Sequence, residues 1–194
     1  MQFLNAIVLL LFLTISCNSS KMPTNTTQKT YTYLALGDSY TIGESVPAEK
    51  NFPHQVVTLL RKEKINIDDP AIIAKTGWTT DELQSAIQSA TLSSKYDLVS
   101  LLIGVNNQYR GRSSEVYRNE FINLLNKAVE LAGSQSKNVF VVSIPDWGVT
   151  PFAKTNNRNE EQVAKEIDTY NAICKEEAEK LNITFINITP ISRL

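Results

Sequence analysis

Between Tyr31 and Asn187, short apolar runs alternate with longer amphipathic stretches, and this alternation constrains the fold more than any other property of the chain. The runs are Tyr31 to Leu36, Ala71 to Lys75, Leu98 to Ile103, Asn138 to Ser143 and Thr184 to Asn187. Several are almost continuously apolar, as expected of strands covered on both faces. The segments between them repeat at helical spacing. Phe52 to Lys64 aligns Val56, Leu59 and Leu60 on one stripe, with Arg61, Lys62 and Lys64 outside it. Thr79-Thr80-Asp81-Glu82 reads as a capping box that opens a second helix with Leu83 and Ile87 on its buried face. A third helix runs from Val116 to Ala132 and stops at Gly133; a fourth runs from Glu160 to Leu181 with Glu and Lys on a solvated outer face. Strand and helix in alternation predict a three-layer α/β/α domain of about five parallel strands with helices on both faces.

A chain of 194 residues supports one such domain. Its formal net charge of -1 and the lack of any long Lys/Arg block argue against a nucleic-acid partner, which needs many cationic phosphate contacts. The N-terminus has a different character. Ile7 to Leu13 is an apolar run inside residues 1–16, shorter than the roughly 20 residues a membrane-spanning helix needs, and of signal-peptide length. Leu13-Thr14-Ile15-Ser16-Cys17 resembles a bacterial lipoprotein cleavage site, which implies a lipid on Cys17 and a place at the bacterial cell envelope. An ordinary cleaved secretory signal is the alternative. Residues 17–30 are polar and aperiodic, a tether with an expected span of about 20 Å, and residues 31–194 form the domain. With Cys17 lipidated, Cys174 is the sole free thiol and reads as a small core residue in its helix.

In parallel α/β sheets the chemistry gathers beyond the carboxyl ends of the strands. Those ends read Gly37-Asp38-Ser39, Thr76-Gly77-Trp78, Gly104-Val105-Asn106-Asn107 and Pro145-Asp146-Trp147-Gly148. An apolar strand running into Gly-Asp-Ser presents a serine at a sheet edge, where it serves either as a nucleophile or as a helix cap. Gly77 and Asn106 are each also ordinary turn residues. Taken together and in this order, the four blocks resemble the SGNH hydrolases, also called the GDSL esterases and lipases, from Tyr31 to about Ile191. The resemblance implies a flavodoxin-like layer order, Ser39 as nucleophile, and an oxyanion hole made from the backbone N–H groups of Ser39 and Gly77 and the side-chain amide of Asn106. These residue types suit acyl transfer. Fixed neutral donors stabilise a tetrahedral oxyanion by roughly 3 kcal/mol each; glycine lets the backbone approach closely, and asparagine carries two N–H donors without charge. Asn107 stands where the family commonly has Asp, and Trp78 and Trp147 are candidates for an apolar acyl- or ring-binding cleft as well as for simple core packing.

The resemblance also implies an Asp-X-X-His segment after the last strand, and Ile188-Thr189-Pro190-Ile191-Ser192-Arg193-Leu194 holds none. The single histidine, His54, lies at the expected start of the first helix, where it reads as a surface or packing residue. The expectation is therefore a relative truncated at its C-terminus, weakened in activity, and short of helical cover on one face of the sheet. Its implied function is carboxylic-ester hydrolysis through an acyl-enzyme, of esterase or lysophospholipase type, with a small-molecule ester as partner and neither metal nor organic cofactor. A noncatalytic relative that binds an acyl or carbohydrate group is the alternative. A flavodoxin-like nucleotide binder matches the layers but lacks a Gly-rich phosphate fingerprint.

Overall fold

The computed structural model describes residues 29–194. The expected signal at 1–16, Cys17 and all but the last two residues of the 17–30 tether lie outside the described residues. Five parallel strands form one sheet in the order β2-β1-β3-β4-β5. They are β1 (Tyr33–Gly37), β2 (Ala71–Ala74), β3 (Leu98–Leu102), β4 (Val139–Val142) and β5 (Thr184–Ile186). Each lies within the run predicted for it, give or take a residue at its ends. Between them come α1 (Ser39–Ile42), α2 (Phe52–Lys62), α3 (Thr80–Ser89), α4 (Val105–Tyr109), α5 (Ser114–Leu131), α6 (Pro151–Thr155), α7 (Glu160–Lys180) and, last, α8 (Thr189–Ser192).

The four long helices were predicted from their apolar spacing, and their ends follow local chemistry. Glu82 accepts from the Thr79 N–H at 2.8 Å and completes the capping box of α3. Ser113 caps α5 through the Val116 N–H at 3.2 Å, so that helix starts earlier than its apolar stripe. Helix α2 stops at Lys62, two residues before the predicted end, because Lys64 takes a left-handed φ of 62° and turns the chain toward β2. The short helices α1, α4, α6 and α8 were not predicted; four or five residues are too few to display a helical period.

The two faces of the sheet are covered unequally. Helices α3, α5 and α7 close the main core, in which Leu34, Leu101, Phe121, Leu124, Leu125 and Val141 are fully buried. Helix α2 covers a smaller cluster of Tyr33, Ala35, Val57 and Ile67. On that second face the register pairs Phe140 with Thr184 and Val142 with Ile186, and Ile186 is 42% exposed.

Polar pins hold the last segment against the carboxyl ends of β4 and β5. The Asn171 amide brackets Ile144 like a neighbouring strand, accepting from its N–H at 2.8 Å and donating to its carbonyl at 3.0 Å. Ser143 Oγ accepts from the Ile188 and Thr189 N–H groups at 2.8 and 3.1 Å. These buried polar groups are thereby satisfied.

Candidate active site

The β1 strand sits between β2 and β3, so the chain crosses from one side of it to the other; ligands bind at such a switch point in doubly wound sheets. Gly37 ends β1, and a Cβ there would collide with Thr41 Oγ1 and the Leu102 carbonyl, so only glycine lets α1 fold back this tightly. Asp38 then caps α1 by accepting from the Tyr40 N–H at 3.0 Å. That leaves the Ser39 N–H among the unpaired donors of the first helical turn. Ser39 is half-buried, and its Oγ makes no hydrogen bond among the described residues. The serine is thus not the cap. Its neighbour Asp38 takes that role.

Burial pushes the Asp38 carboxyl up to about 7, against the opposing pull of the Tyr40 and Gly104 amides. Its Oδ2 and the nearby Thr41 Oγ1 are buried with no hydrogen-bond partner among the described residues. The Tyr40 hydroxyl is pushed up to about 12, mainly by burial and then by the Asp38 and Asp146 carboxylates.

Gly77 lies in a turn closed by the Trp78 N–H donating to the Lys75 carbonyl at 3.2 Å. Its φ of +85° is that of the third residue of a type II turn, which requires glycine. Inside the protein the requirement is conformational and not spatial: a Cβ at Gly77 would meet nothing nearer than Arg110 Nη2 at 3.8 Å. The Gly77 N–H has no partner among the described residues. Around it the turn is pinned from outside. Asn106 Nδ2 donates to the Trp78 carbonyl at 2.9 Å, Arg110 Nη2 donates to the Gly77 carbonyl at 2.6 Å, and the Thr76 hydroxyl donates to the Glu44 carboxylate just beyond α1. These contacts draw the loops after β1, β2 and β3 into one locus. They also engage one of the two Asn106 N–H donors and leave the other.

Asn107 is fully buried on the other side of α4, where it accepts from the Thr80 N–H at 3.1 Å and donates to the Thr80 hydroxyl at 2.6 Å. Thr80 Oγ1 in turn donates to the Glu120 carboxylate. Because the Thr80 proton is already directed at Glu120, its oxygen needs a donor. An amide supplies one and a carboxylate does not, which accounts for Asn at a position where Asp was expected.

Of the two tryptophans, Trp78 is half-buried against the core and Trp147 is only 5% exposed, its Nε1 donating to Gln108 Oε1 at 2.7 Å. The accessible rings are Tyr109 and Phe152, 38% and 55% exposed, packed on Trp147 with centroid distances of 5.4 and 5.9 Å. Sequence reasoning missed both. Tyr109 follows Asn106 by three residues on α4, a spacing that would have placed them on one side had the helix been foreseen.

His54 is bound at the start of α2, its Nδ1 within 2.8 Å of Asn51 Oδ1, and no hydrogen bond joins it to Ser39. Among the described residues no group of three or more His, Cys, Asp or Glu side chains is placed to hold a metal ion. Cys174 is buried in the core with its sulfur 2.8 Å from the Tyr117 hydroxyl, and burial pushes its thiol up to about 12. It is a packing residue.

The sequence pattern of the GDSL-like lipase/acylhydrolase family matches residues 35–193. The esterase AlinE4, described as a member of the SGNH-hydrolase family, superposes with a TM-score of 0.64 at 20% identity, covering 81% of this chain and 76% of that one. A lipase/acylhydrolase from Enterococcus faecalis gives 0.63 at 16% identity over 83% and 77% of the two chains. A member of the lipolytic protein G-D-S-L family from Veillonella parvula gives 0.59 at 19% identity over 84% and 79%. At these identities the likeness is one of fold. No curated protein matches the chain.

Proposed function

Because this chain belongs to the GDSL-like lipase/acylhydrolase family, we propose that its site hydrolyses carboxylic esters with Ser39 as the nucleophile. The observation that carries this reading is the company Ser39 keeps: a hydroxyl just past β1, at the switch point of the sheet, and a turn after β2, with neither the Ser39 hydroxyl nor the Gly77 N–H bonded to any of the described residues. Ser39 Oγ would attack the acyl carbon, and the carbonyl oxygen would take the negative charge. The N–H groups of Ser39 and Gly77 and the remaining Asn106 N–H would donate to that oxygen. Collapse of the adduct would expel the alcohol and leave an acyl-serine, which water then cleaves. The rings of Tyr109 and Phe152 offer an apolar wall for the acyl or alcohol part.

Both steps need a group that takes the Ser39 proton and passes it to the departing alcohol oxygen, then takes a proton from water and returns it to Ser39. The one histidine of these 194 residues is held by Asn51. A polypeptide of these residues alone is expected to turn over slowly, since losing the base of a serine triad costs several orders of magnitude. Added imidazole can act as the base, and this gives the test. Initial rates on p-nitrophenyl acetate and butyrate are expected to rise with imidazole in the wild type, above the buffer background, and to fall to that background in Ser39→Ala. Equal rates in the two proteins would sink the proposal. The second reading is a noncatalytic binder of acyl or carbohydrate groups, with the exposed Tyr109 and Phe152 rings as its apolar wall. Saturable ligand binding without Ser39-dependent turnover, even with imidazole, would support it. On sequence alone we place the domain at the bacterial cell envelope, secreted or tethered by a lipid on Cys17.

A further inference from the structure

Resting on the reading of Gly77 as an oxyanion donor, we propose that Arg110 is a positioning residue that holds the Lys75–Trp78 turn, and with it the Gly77 N–H, in place. The turn has little of its own to hold it. Lys75 and Thr76 are exposed, a single backbone hydrogen bond of 3.2 Å closes it, and glycine at φ +85° can leave that region at little steric cost. What fixes it comes from elsewhere. Arg110 Nη2 donates to the Gly77 carbonyl at 2.6 Å, and Nη1 lies 3.4 Å from Glu82 Oε1. Glu82 is itself fixed, because its other oxygen accepts from the Thr79 N–H at 2.8 Å in the capping box of α3.

A relay thus runs from the start of α3 through Glu82 and Arg110 to the carbonyl of Gly77. The planar guanidinium suits it because one nitrogen holds the carbonyl while another meets the carboxylate; a lysine ammonium offers one compact donor group. Arg110 and Asn106 lie four residues apart on and just after α4, so that one short helix grips consecutive carbonyls of the turn, those of Gly77 and Trp78. Asn106 keeps a donor for the substrate. Arg110 is spoken for on both sides and acts through the turn.

The test uses two readouts on the same proteins. In Arg110→Ala, hydrogen exchange at the Trp78 amide, which closes the turn, is expected to accelerate about tenfold or more while the α3 and α5 amides keep their rates. In the imidazole-supplied ester assay kcat is expected to fall about tenfold with KM within about twofold, as for a donor misplaced by a fraction of an ångström. Arg110→Lys should recover part of both. Unchanged Trp78 exchange in Arg110→Ala would overturn the proposal, as would faster exchange with unchanged kcat, which would make Arg110 a surface brace without influence on the site. Ser39→Ala separates the two readings. It should abolish turnover and leave Trp78 exchange at the wild-type rate; if it keeps wild-type turnover, the esterase reading fails, and the catalytic part of the Arg110 proposal fails with it.

Discussion

Asp38 and Asp146 follow the carboxyl ends of β1 and β4, are 0% and 2% exposed, and meet opposite surroundings. Asp146 is fully partnered: Oδ2 accepts from Arg193 Nε at 2.7 Å and Oδ1 from the Gly148 N–H at 2.8 Å. Arg193 goes on to Asp168 at 2.8 Å, so this carboxylate anchors the last segment of the chain to α7. Among the described residues Asp38 accepts one hydrogen bond, from the Tyr40 N–H, its second oxygen has no partner, and no cation pairs with it. Burial then pushes its carboxyl up to about 7. The contrast teaches that depth alone does not set the role of a buried carboxylate; the supply of partners does. It also bears on the proposed chemistry. A full negative charge next to Ser39 would oppose an oxyanion forming there, and below about pH 7 Asp38 is mostly neutral.

The largest expected effect comes from breaking the partnered side. Arg193→Leu leaves Asp146 buried without its cation and should destabilise the fold by about 3 kcal/mol, the low end for a severed buried pair because Arg193 is itself 31% exposed. Urea unfolding at pH 7 measures it, and a midpoint equal to wild type would show that water or backbone donors replace Arg193.

A smaller effect sharpens the unpartnered side. The folded-state value of Asp38 lies above the ordinary 3.8, so between about pH 4 and about 7 the folded chain holds a proton that the unfolded chain has released. Its contribution to stability is therefore fully present below pH 4 and is lost as the pH climbs toward 7. Asp38→Asn keeps the acceptor that caps α1 and removes the titration. Against the wild type, its stability should decline less over that range, by up to a few kcal/mol, and parallel curves for the two proteins would refute the assignment. The smallest effect belongs to Thr41→Val, which removes a buried hydroxyl without a partner. Its loss should leave stability unchanged or raise it by about 1 kcal/mol, and a loss of about 2 kcal/mol in thermal unfolding would reveal a partner for that hydroxyl.

Much of this molecule was legible in the chain. Strands buried on both faces announce themselves as apolar runs, and α2, α3, α5 and α7 carry long stripes that only a helix explains. The Gly-Asp-Ser block marked the turn after β1, but the cap expected as an alternative for Ser39 falls to Asp38, and Gly37 is required by the close return of α1 and by the Leu102 carbonyl of the neighbouring strand. Local pattern failed where elements were too short to have a period. Reading Gly104 to Asn107 as a loop hid α4, and with it the placement of Asn106, Tyr109 and Arg110 along one short helix. Gly77 was read both as a turn glycine and for close approach, and its φ of +85° shows the turn. Asn107 looked like a departure, and the Thr80–Glu120 chain makes it the fitting residue.

Hydrophobic period and turn chemistry are properties of neighbours in sequence, and for that reason the sequence by itself determined the layers, the five strands and the position of Ser39 just after the first of them. Partnership between distant side chains is not such a property. Tertiary structure alone decided that Arg110 grips the Gly77 carbonyl across 33 positions, that Arg193 satisfies Asp146 across 47, and that one oxygen of Asp38 is left without a partner among the described residues. These outcomes depend on which atoms packing brings within about 3 Å of one another, because a hydrogen bond or a desolvated charge responds to that distance and not to the spacing of residues along the chain.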